Sequence, residues 1–393
     1  MLTGQNKGPG AHGDRVASLD LLRGFAVLAV ILFHYTFRGA AADNFTSISI
    51  PEFTDLAKYG YFGVQLFFVI SGFVIAFSAD GRSATEFAIA RLARIYPGFV
   101  FCMTVTFIIT LACGAPRFDA TGSQWFANLF IVAPALKQPF MDGAYWSIVY
   151  EITFYGWVML LLMVGLFRRR RIDPILLIWL ALSLLNETVL NSSMLRRILI
   201  TDYSGFFAAG IIIYEIYGGR RDANVMTLLM LATVIAVRQS LIGAQHPRDH
   251  YGVAIDELVI IGLSVLAIAA VGLAACLRRV PLPAGLVLAL GGLTYSLYLL
   301  HQHIGYIAFN RLKQLASAPV IIVVTTGVMI GLSWLVWRFV ERPGQRLIKR
   351  LLTRWSARLG LPMKPPALPA TEPLHAEVRQ RTGSPGRSVA QPG

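Results

Sequence analysis

The sequence predicts an all-α, polytopic integral membrane protein with about ten transmembrane helices. Three observations predict this fold class. Of the 393 residues, 55% are hydrophobic and only 14% are charged, and the mean hydropathy is +0.60. Because a soluble domain carries about 25% charged residues, a water-soluble globule of this composition would expose large apolar patches. The soluble classes of protein are therefore excluded, and the length of the chain is best interpreted as a number of membrane spans.

Ten apolar runs approach the length of a membrane helix, which needs about 20 apolar residues. The run at 203–217 is the shortest of them. The segment 124–136 is shorter still and contains Pro134, so we expect it to be interfacial or re-entrant. The ten runs are 18–37, 60–78, 97–113, 144–166, 174–191, 203–217, 224–243, 256–276, 285–309 and 319–340.

The distribution of Lys and Arg predicts that both termini are cytoplasmic. When the loops are assigned alternately, one side of the membrane receives 23 of these residues and the other receives 10. Short cytoplasmic loops are enriched in positive charge, so the first side is expected to be the cytoplasm. Residues 1–17 are then a cytoplasmic segment, 18–345 are the membrane domain, and the basic, Pro-rich region 346–393 is expected to be a disordered cytoplasmic tail.

The net charge of +14 does not indicate nucleic-acid binding, because the basic residues lie in short clusters between apolar runs. The three cysteines also lie inside apolar runs and show neither metal-ligand spacing nor a disulfide framework. We expect no metal site, and we expect Cys102, Cys113 and Cys276 to be small core residues.

The first helix carries two ionisable residues, Arg23 and His34, inside its apolar run. At about 100° per residue they lie on one helix face, about 16 Å apart along the axis. Asp20 precedes Arg23 by three residues, a spacing that allows an ion pair. This face would present an anion binder near the cytoplasm and a proton acceptor toward the far side. The alternative is a snorkelling arginine and a structural, hydrogen-bonded histidine.

A second pair of cations follows in the cytoplasmic loop 79–96, where Arg91 and Arg94 precede Tyr96-Pro97. If this segment is helical, the i,i+3 spacing places both guanidinium groups on one face. Arginine is suited to bidentate binding of phosphate. The alternative is ordinary anchoring of a cytoplasmic loop.

Polar side chains of four helices are expected to converge in the outer half of the membrane. Depth counted along the helices puts His34, Glu151 and His301 at a comparable level, and Gln65 and Ser71 add polar atoms nearby. Glu151 could orient a histidine, as carboxylates do in acyl transfer. The alternative is that its carboxylate makes a hydrogen bond between packed helices.

Five motifs occur in order along the chain: LDLLRGFAVLAVILFH, GVQLFFVISGFVIAF, RLARIYP, YWSIVYEITFY, and YSLYLLHQHI followed by ERP at 341–343. Together they resemble the acyltransferase-3 family of bacterial integral-membrane acyltransferases, which modify surface polysaccharides and related glycans. The resemblance covers about residues 15–345. The chain is similar in length to stand-alone exopolysaccharide and O-antigen acetyltransferases of this family.

The resemblance implies an O-acyltransferase that moves an acyl group, most commonly acetyl, from cytoplasmic acyl-CoA to a hydroxyl on the far side of the membrane. It matches His34 to an essential histidine, Arg91 and Arg94 to a donor-phosphate pair, and His301 to a late-helix histidine. Together with the residues above, the candidate site comprises His34, Glu151 and His301 for catalysis and Arg23, Arg91, Arg94, Asp20, Trp146, Ser147 and Gln65 for substrate binding.

The resulting hypothesis is direct transfer, with His34 as the general base for the acceptor hydroxyl. Glu151 or His301 would fix the tautomer of that imidazole or relay its proton. A covalent acyl-enzyme intermediate stays open. The expected partners are the lipid bilayer of a bacterial inner membrane, acyl-CoA as co-substrate and a glycan or lipid-linked saccharide, with no tightly bound cofactor. The alternative is a transporter or flippase that uses an intramembrane His/Glu proton relay, although no internal repeat is visible.

Overall fold

The computed structural model describes residues 16–168, 170–277 and 280–363. Within these ranges the chain forms helices and connecting loops, with no strand. Ten helical segments are long and apolar enough to cross a membrane, which confirms the predicted all-α class. The α-helices are α1 (Ala17–Leu32), α2 (Pro51–Ala57), α3 (Phe62–Ala79), α4 (Ala84–Cys113), α5 (Gly122–Asn128), α6 (Trp146–Met163), α7 (Ile172–Leu185), α8 (Ser193–Leu199), α9 (Ser204–Tyr217), α10 (Ala223–Gly243), α11 (Gln245–Tyr251), α12 (Glu257–Cys276), α13 (Ala284–Leu312), α14 (Ala318–Val336) and α15 (Arg342–Arg358).

Two boundaries near the candidate site differ from the predicted ones. The first span does not end at 37, because α1 continues as a π-helix over Phe33–Ala42. Helix α4 begins at Ala84 and not near 97, since Ser83 and Glu86 form a capping box that starts the helix. Pro97 therefore lies inside α4, and the arginine pair before it is helical. This meets the condition under which both guanidinium groups share a face.

Two of the predictions concern short segments. The segment predicted at 124–136 folds as α5 and a 3₁₀ turn over Ala133–Leu136, so it does not form a long apolar helix. The short run at 203–217 corresponds to α9, which is preceded by α8, and together they form one of the ten candidate spans.

Helices α3 and α9 pack against each other at the centre of the bundle. Their backbones approach closely at Gly72 and Gly210: a methyl group on Gly72 would overlap the Phe207 carbonyl oxygen, and one on Gly210 would overlap the Val69 carbonyl oxygen. Small residues permit such close packing between membrane helices. The outer surface of the bundle instead exposes large apolar side chains, such as Leu266, Val323 and Leu335, which is typical of a surface in contact with lipid.

Val16, just before α1, and Gln345 in α15 line the same cavity, on a side of the bundle that we call the N-terminal side. Helix α14 continues through a π-helix over Trp337–Glu341 into α15. The predicted disordered tail therefore does not begin at 346. The chain stays helical to Arg358 because α15 packs on α4, with Gly344 against the Pro97 ring. Residues 1–15 of the predicted N-terminal segment 1–17 and the remaining tail from 364 lie outside the described residues.

The prediction that all three cysteines are core residues is wrong for two of them. Cys102 is buried in the middle of α4. Cys113 and Cys276 are exposed because each is the last residue of its helix, where the neighbouring helices no longer cover it.

Candidate active site

The imidazole rings of His34 and His301 are in direct contact inside the bundle. The Nε2 atom of His301 lies 2.9 Å from the Nδ1 atom of His34, and the ring centroids are 4.9 Å apart. His34 is 5% exposed and His301 is completely buried. Two residues that the sequence singles out separately, on the first and ninth spans, therefore form one unit.

Hydrogen bonds to backbone carbonyls fix the proton positions in this unit. The Nδ1 atom of His301 lies 2.8 Å from the carbonyl oxygen of Tyr298, which can only accept, so His301 donates from Nδ1. The Nε2 atom of a neutral His301 then accepts, and the Nδ1–H of His34 is the donor, shared with the Val30 carbonyl at 3.0 Å. The Nε2 atom of His34 makes no hydrogen bond with any described residue and is left unprotonated.

Two tyrosine hydroxyls hold the backbone around the histidine pair. Tyr35 donates to the carbonyl oxygen of His301 at 2.7 Å, and Tyr306 donates to the carbonyl oxygen of His34 at 3.2 Å. His34 itself lies in the π-helix at the end of the first span. The Tyr306 hydroxyl therefore connects α13 to the π-helical segment that carries His34.

The buried carboxylate of Asp142 anchors the loop before α6 to helix α13. Its Oδ1 atom accepts from the Ala144 amide at 2.8 Å and its Oδ2 atom accepts from the His303 amide at 2.8 Å. It therefore joins the start of the Trp146-Ser147 segment to the helix that carries His301. This residue was not identified from the sequence, where only its position just before that segment could have suggested a role.

A cavity of about 750 Å³, which we call cavity 1, lies on the N-terminal side of the bundle. Its charged lining contains more cations than anions. The carboxylates are Asp20, Asp80 and Glu151, and the guanidinium groups are those of Arg23, Arg82, Arg91, Arg94 and Arg342. Asp20 and Arg23 form the ion pair that their spacing predicts, at 2.8 Å.

The two arginines of α4 have different environments within cavity 1. Arg94 forms an ion pair at 2.8 Å with Glu341, which is completely buried and also accepts from the Ser296 hydroxyl. Arg91 forms no ion pair with a described residue, and its Nε atom is buried without a hydrogen-bond partner. It contacts the ring of Tyr155, 5.9 Å from the centroid. Arg91 is therefore the cation in this pair that is available to an anionic ligand.

Glu341 was not among the predicted site residues. The sequence signal was the ERP motif at 341–343, which contributed to the resemblance but was given no role. Local spacing could not find the contact, because Arg94 and Glu341 are 247 positions apart and meet only when the last span packs on α4.

The predicted contact of Glu151 with a histidine is not observed. Glu151 lines cavity 1, where it accepts from Ser71 at 3.4 Å and from the Tyr155 hydroxyl. Helix α6 turns this carboxylate toward cavity 1, and the place that the sequence suggested for it beside His34 is taken by His301. Glu151 therefore does not fix the tautomer of either histidine in this structure.

Tyr298 connects cavity 1 to the histidine pair. Its ring lines the cavity and lies 5.6 Å from the ring of His301. Its hydroxyl is 2.7 Å from the hydroxyl of Ser147 and donates to the Ala144 carbonyl at 2.9 Å. Ser147, predicted as a substrate-binding residue, thus lines cavity 1 and fixes Tyr298.

A second cavity of about 580 Å³, which we call cavity 2, lies toward the opposite side of the bundle. Trp146 and Gln65, both predicted to bind substrate, line it. Phe33 lines it as well, and its ring packs edge-on against His34 with centroids 5.1 Å apart. Gln65 and Ser71, expected near one another, therefore belong to different cavities.

Neither His34 nor His301 is among the described residues that line the two cavities. An aromatic ring from the lining of each cavity contacts the pair. Tyr298 of cavity 1 has its ring centroid 5.6 Å from that of His301, and Phe33 of cavity 2 has its ring centroid 5.1 Å from that of His34. The histidine pair lies in the protein interior, between the cavities, and not on the lipid-facing surface.

Comparisons with known proteins agree with this architecture. Residues 16–338 match the family model described as an acyltransferase domain. The chain is 30% identical over 303 residues to exopolysaccharide production protein ExoZ of Rhizobium meliloti (strain 1021), an alignment that covers 72% of this chain and 89% of that protein. It is 33% identical over 149 residues to acyltransferase MdmB of Streptomyces mycarofaciens, over 36% of this chain and 38% of that protein. No solved structure matches the chain.

The family model covers most of the chain, including both histidines and the arginine pair. The ExoZ alignment also extends over more than two thirds of it. Combined with ten helices that could cross a membrane, these matches establish that the chain belongs to the acyltransferase-3 family and is a multi-pass membrane acyltransferase.

Proposed function

We propose that this acyltransferase moves an acyl group, acetyl in the simplest case, from cytoplasmic acyl-CoA to a hydroxyl of a glycan on the opposite side of the bacterial inner membrane. The observation that carries the proposal is the His34–His301 hydrogen bond, which leaves the Nε2 atom of His34 free between two cavities on opposite sides. An imidazole held in one tautomer by a partner is suited to general-base catalysis.

The charges of cavity 1 support it as the donor site. Coenzyme A carries phosphate and diphosphate groups, and Arg91 offers a guanidinium without a protein counter-ion. Charge-assisted hydrogen bonds between arginine and phosphate are among the stronger contacts in proteins. Arg94 is held beside it by Glu341. The pantetheine arm would then extend toward Tyr298.

The chemical step uses two substrates and one base. The Nε2 atom of His34 accepts the proton of the acceptor hydroxyl while the oxygen of that hydroxyl attacks the thioester carbonyl carbon. The tetrahedral intermediate collapses with cleavage of the carbon–sulfur bond, and the proton passes from His34 to the departing thiolate. His301 acts as a positioning residue, because its Nε2 atom accepts from the Nδ1–H of His34 throughout.

Each proposed route to His34 passes an aromatic ring that contacts the histidine pair. Rotation of Tyr298 would admit the thioester from cavity 1, and rotation of Phe33 would admit the acceptor from cavity 2. Aromatic rings beside the base restrict the space for water there, which would limit wasteful hydrolysis of the thioester.

The glycan acceptor is supported by the relative named for exopolysaccharide production. The experiment that tests the function uses purified protein in liposomes with radiolabelled acetyl-CoA on one side and neutral oligosaccharides on the other. We expect label on the saccharide. Transport of unlabelled saccharide without acylation would instead support the transporter alternative, and label that stays on the protein would support a covalent intermediate.

A further inference from the structure

Cavity 2 has an aromatic wall. Trp146 and Tyr203 lie with their ring centroids 5.7 Å apart and their planes at 34°, and Tyr150 packs against both. Phe33 and Tyr61 form the part of the wall nearest His34, with centroids 5.7 Å apart. Flat aromatic faces bind the C–H faces of sugar rings as well as other apolar surfaces, so the wall alone does not define the ligand.

The charged groups of cavity 2 are all neutralised by protein partners. Four Asp, Glu or Arg side chains line it among the described residues, and each has an opposite charge within 4 Å. The ion pairs are Arg38 with Asp43 at 2.7 Å, Arg196 with Asp202 at 3.8 Å, and Glu187 with Arg238 at 3.4 Å. Unlike cavity 1, with its unpaired Arg91, cavity 2 therefore offers no counter-ion to a charged ligand.

Two neutral polar atoms in the lining of cavity 2 have no hydrogen-bond partner, whereas the Oε2 atom of Glu187, which also lacks a hydrogen bond, lies 3.4 Å from the Arg238 guanidinium. The side chain of Gln65 is 6% exposed, and its Oε1 atom is buried with no hydrogen-bond partner. The hydroxyl of Tyr61 is likewise buried and unpaired. Leaving such groups unsatisfied costs about 1–3 kcal/mol each. A ligand with hydroxyl groups can satisfy both, because a hydroxyl both donates and accepts.

These groups lie next to the proposed base. Tyr61 packs on Phe33, and Phe33 packs on His34. Gln65 lies one helical turn after Tyr61, at the start of α3, so both polar atoms belong to the same stretch of the cavity wall. A ring bound here has its hydroxyls on the side of the cavity that adjoins the histidine pair.

We propose that cavity 2 is the acceptor subsite and that it binds a neutral, hydroxyl-rich sugar ring. The sugar ring stacks on the aromatic wall. One of its hydroxyls donates a hydrogen bond to the Gln65 Oε1 atom, and another forms a hydrogen bond with the Tyr61 hydroxyl. The role of cavity 2 as the acceptor site rests on the proposed function, whereas the binding of a neutral sugar there does not. The chemistry is shared by a free oligosaccharide and by a lipid-linked one, and the test separates these two sources.

The experiment measures equilibrium binding of fluorescently labelled probes to the full chain in detergent and in liposomes. The soluble probes are neutral gluco-, galacto- and manno-trisaccharides and, as an anionic comparison, tri-galacturonate. A second series carries the neutral trisaccharides on a polyprenyl diphosphate. Acetyl transfer from acetyl-CoA is measured on the same samples. Each variant is first checked for unchanged size-exclusion behaviour and thermal unfolding.

We expect at least one neutral probe to bind, in free or lipid-linked form, and tri-galacturonate to bind less tightly. Gln65→Leu and Tyr61→Phe should each weaken binding by about three- to tenfold, the range for one lost hydrogen bond. Tyr59→Phe is the matched control. Its hydroxyl accepts from the Asp256 amide at 3.0 Å, outside the cavity, so sugar affinity should not change.

Three results would overturn the proposal: no binding of any neutral probe in either form, tighter binding of tri-galacturonate than of every neutral probe, or unchanged affinity in both Gln65→Leu and Tyr61→Phe. Failure of the proposed function gives a different result. In that case neutral sugar would still bind in a manner that depends on Gln65 and Tyr61, but no acetyl group would be transferred.

Discussion

The Nε2 atom of His301 lies 2.9 Å from the Nδ1 atom of His34, across 267 positions of the sequence. The contact joins the first and the ninth span at one level of the bundle. His34 can act as the base of the pair and His301 supports it, since of these two residues only His34 has a ring nitrogen without a hydrogen-bond partner among the described residues.

The first prediction concerns His301. Replacement by Phe removes one of the two acceptors that share the Nδ1–H of His34 and leaves only the Val30 carbonyl at 3.0 Å, so the imidazole is held less firmly in its orientation. We expect kcat to fall by at least about 10²-fold, within the range of general-base catalysis, while the KM for acetyl-CoA changes little. Steady-state kinetics in liposomes measures both. An unchanged kcat would contradict this supporting role of His301.

The second prediction separates the two arginines of α4. Arg91→Gln removes an unpaired guanidinium from cavity 1, so we expect the KM for acetyl-CoA to rise about ten- to hundredfold, since hydrogen bonds to charged groups contribute about 1.5–3 kcal/mol. Thermal unfolding should stay the same. If the KM for acetyl-CoA is unchanged, Arg91 does not bind the donor phosphates.

The third prediction concerns Arg94 and its buried partner. Arg94→Gln leaves the Glu341 carboxylate without its counter-ion in the interior, which costs about 3–5 kcal/mol. We expect a clear loss of thermal stability. The double variant Arg94→Gln with Glu341→Gln should recover much of it, because both charges are then removed. A single variant as stable as the wild type would contradict the importance of this ion pair.

The sequence predicts much of this protein. The number of spans, the helical arginine pair, the Asp20–Arg23 ion pair and the histidines on the first and ninth spans follow from hydropathy, local spacing and the resemblance. Contacts between distant spans do not follow. Depth along a helix places Glu151 and His301 at one level, but only the rotation of α6 and α13 decides which of them meets His34. For the same reason, the contacts of Glu341, Asp142 and Tyr298 could not be predicted from the sequence.

The fourth prediction follows from the correction for Glu151. Because its carboxylate contacts Ser71 and Tyr155 and not a histidine, Glu151→Gln should keep kcat within about tenfold of the wild type and leave the pH dependence of kcat unaltered. Measurement of kcat between pH 5.5 and 8.5 provides the check. A loss as large as that of the His301 variant would restore Glu151 to the catalytic group.

The central claim is that the Nε2 atom of His34 is the general base, and His34→Gln tests it most directly. Glutamine is similar in size to histidine but cannot take the proton. Acetyl transfer from radiolabelled acetyl-CoA is measured in liposomes, with acetyl-CoA binding measured on the same preparation. The account predicts a loss of kcat of about 10²- to 10⁴-fold with acetyl-CoA affinity retained. Turnover within tenfold of the wild type would contradict it.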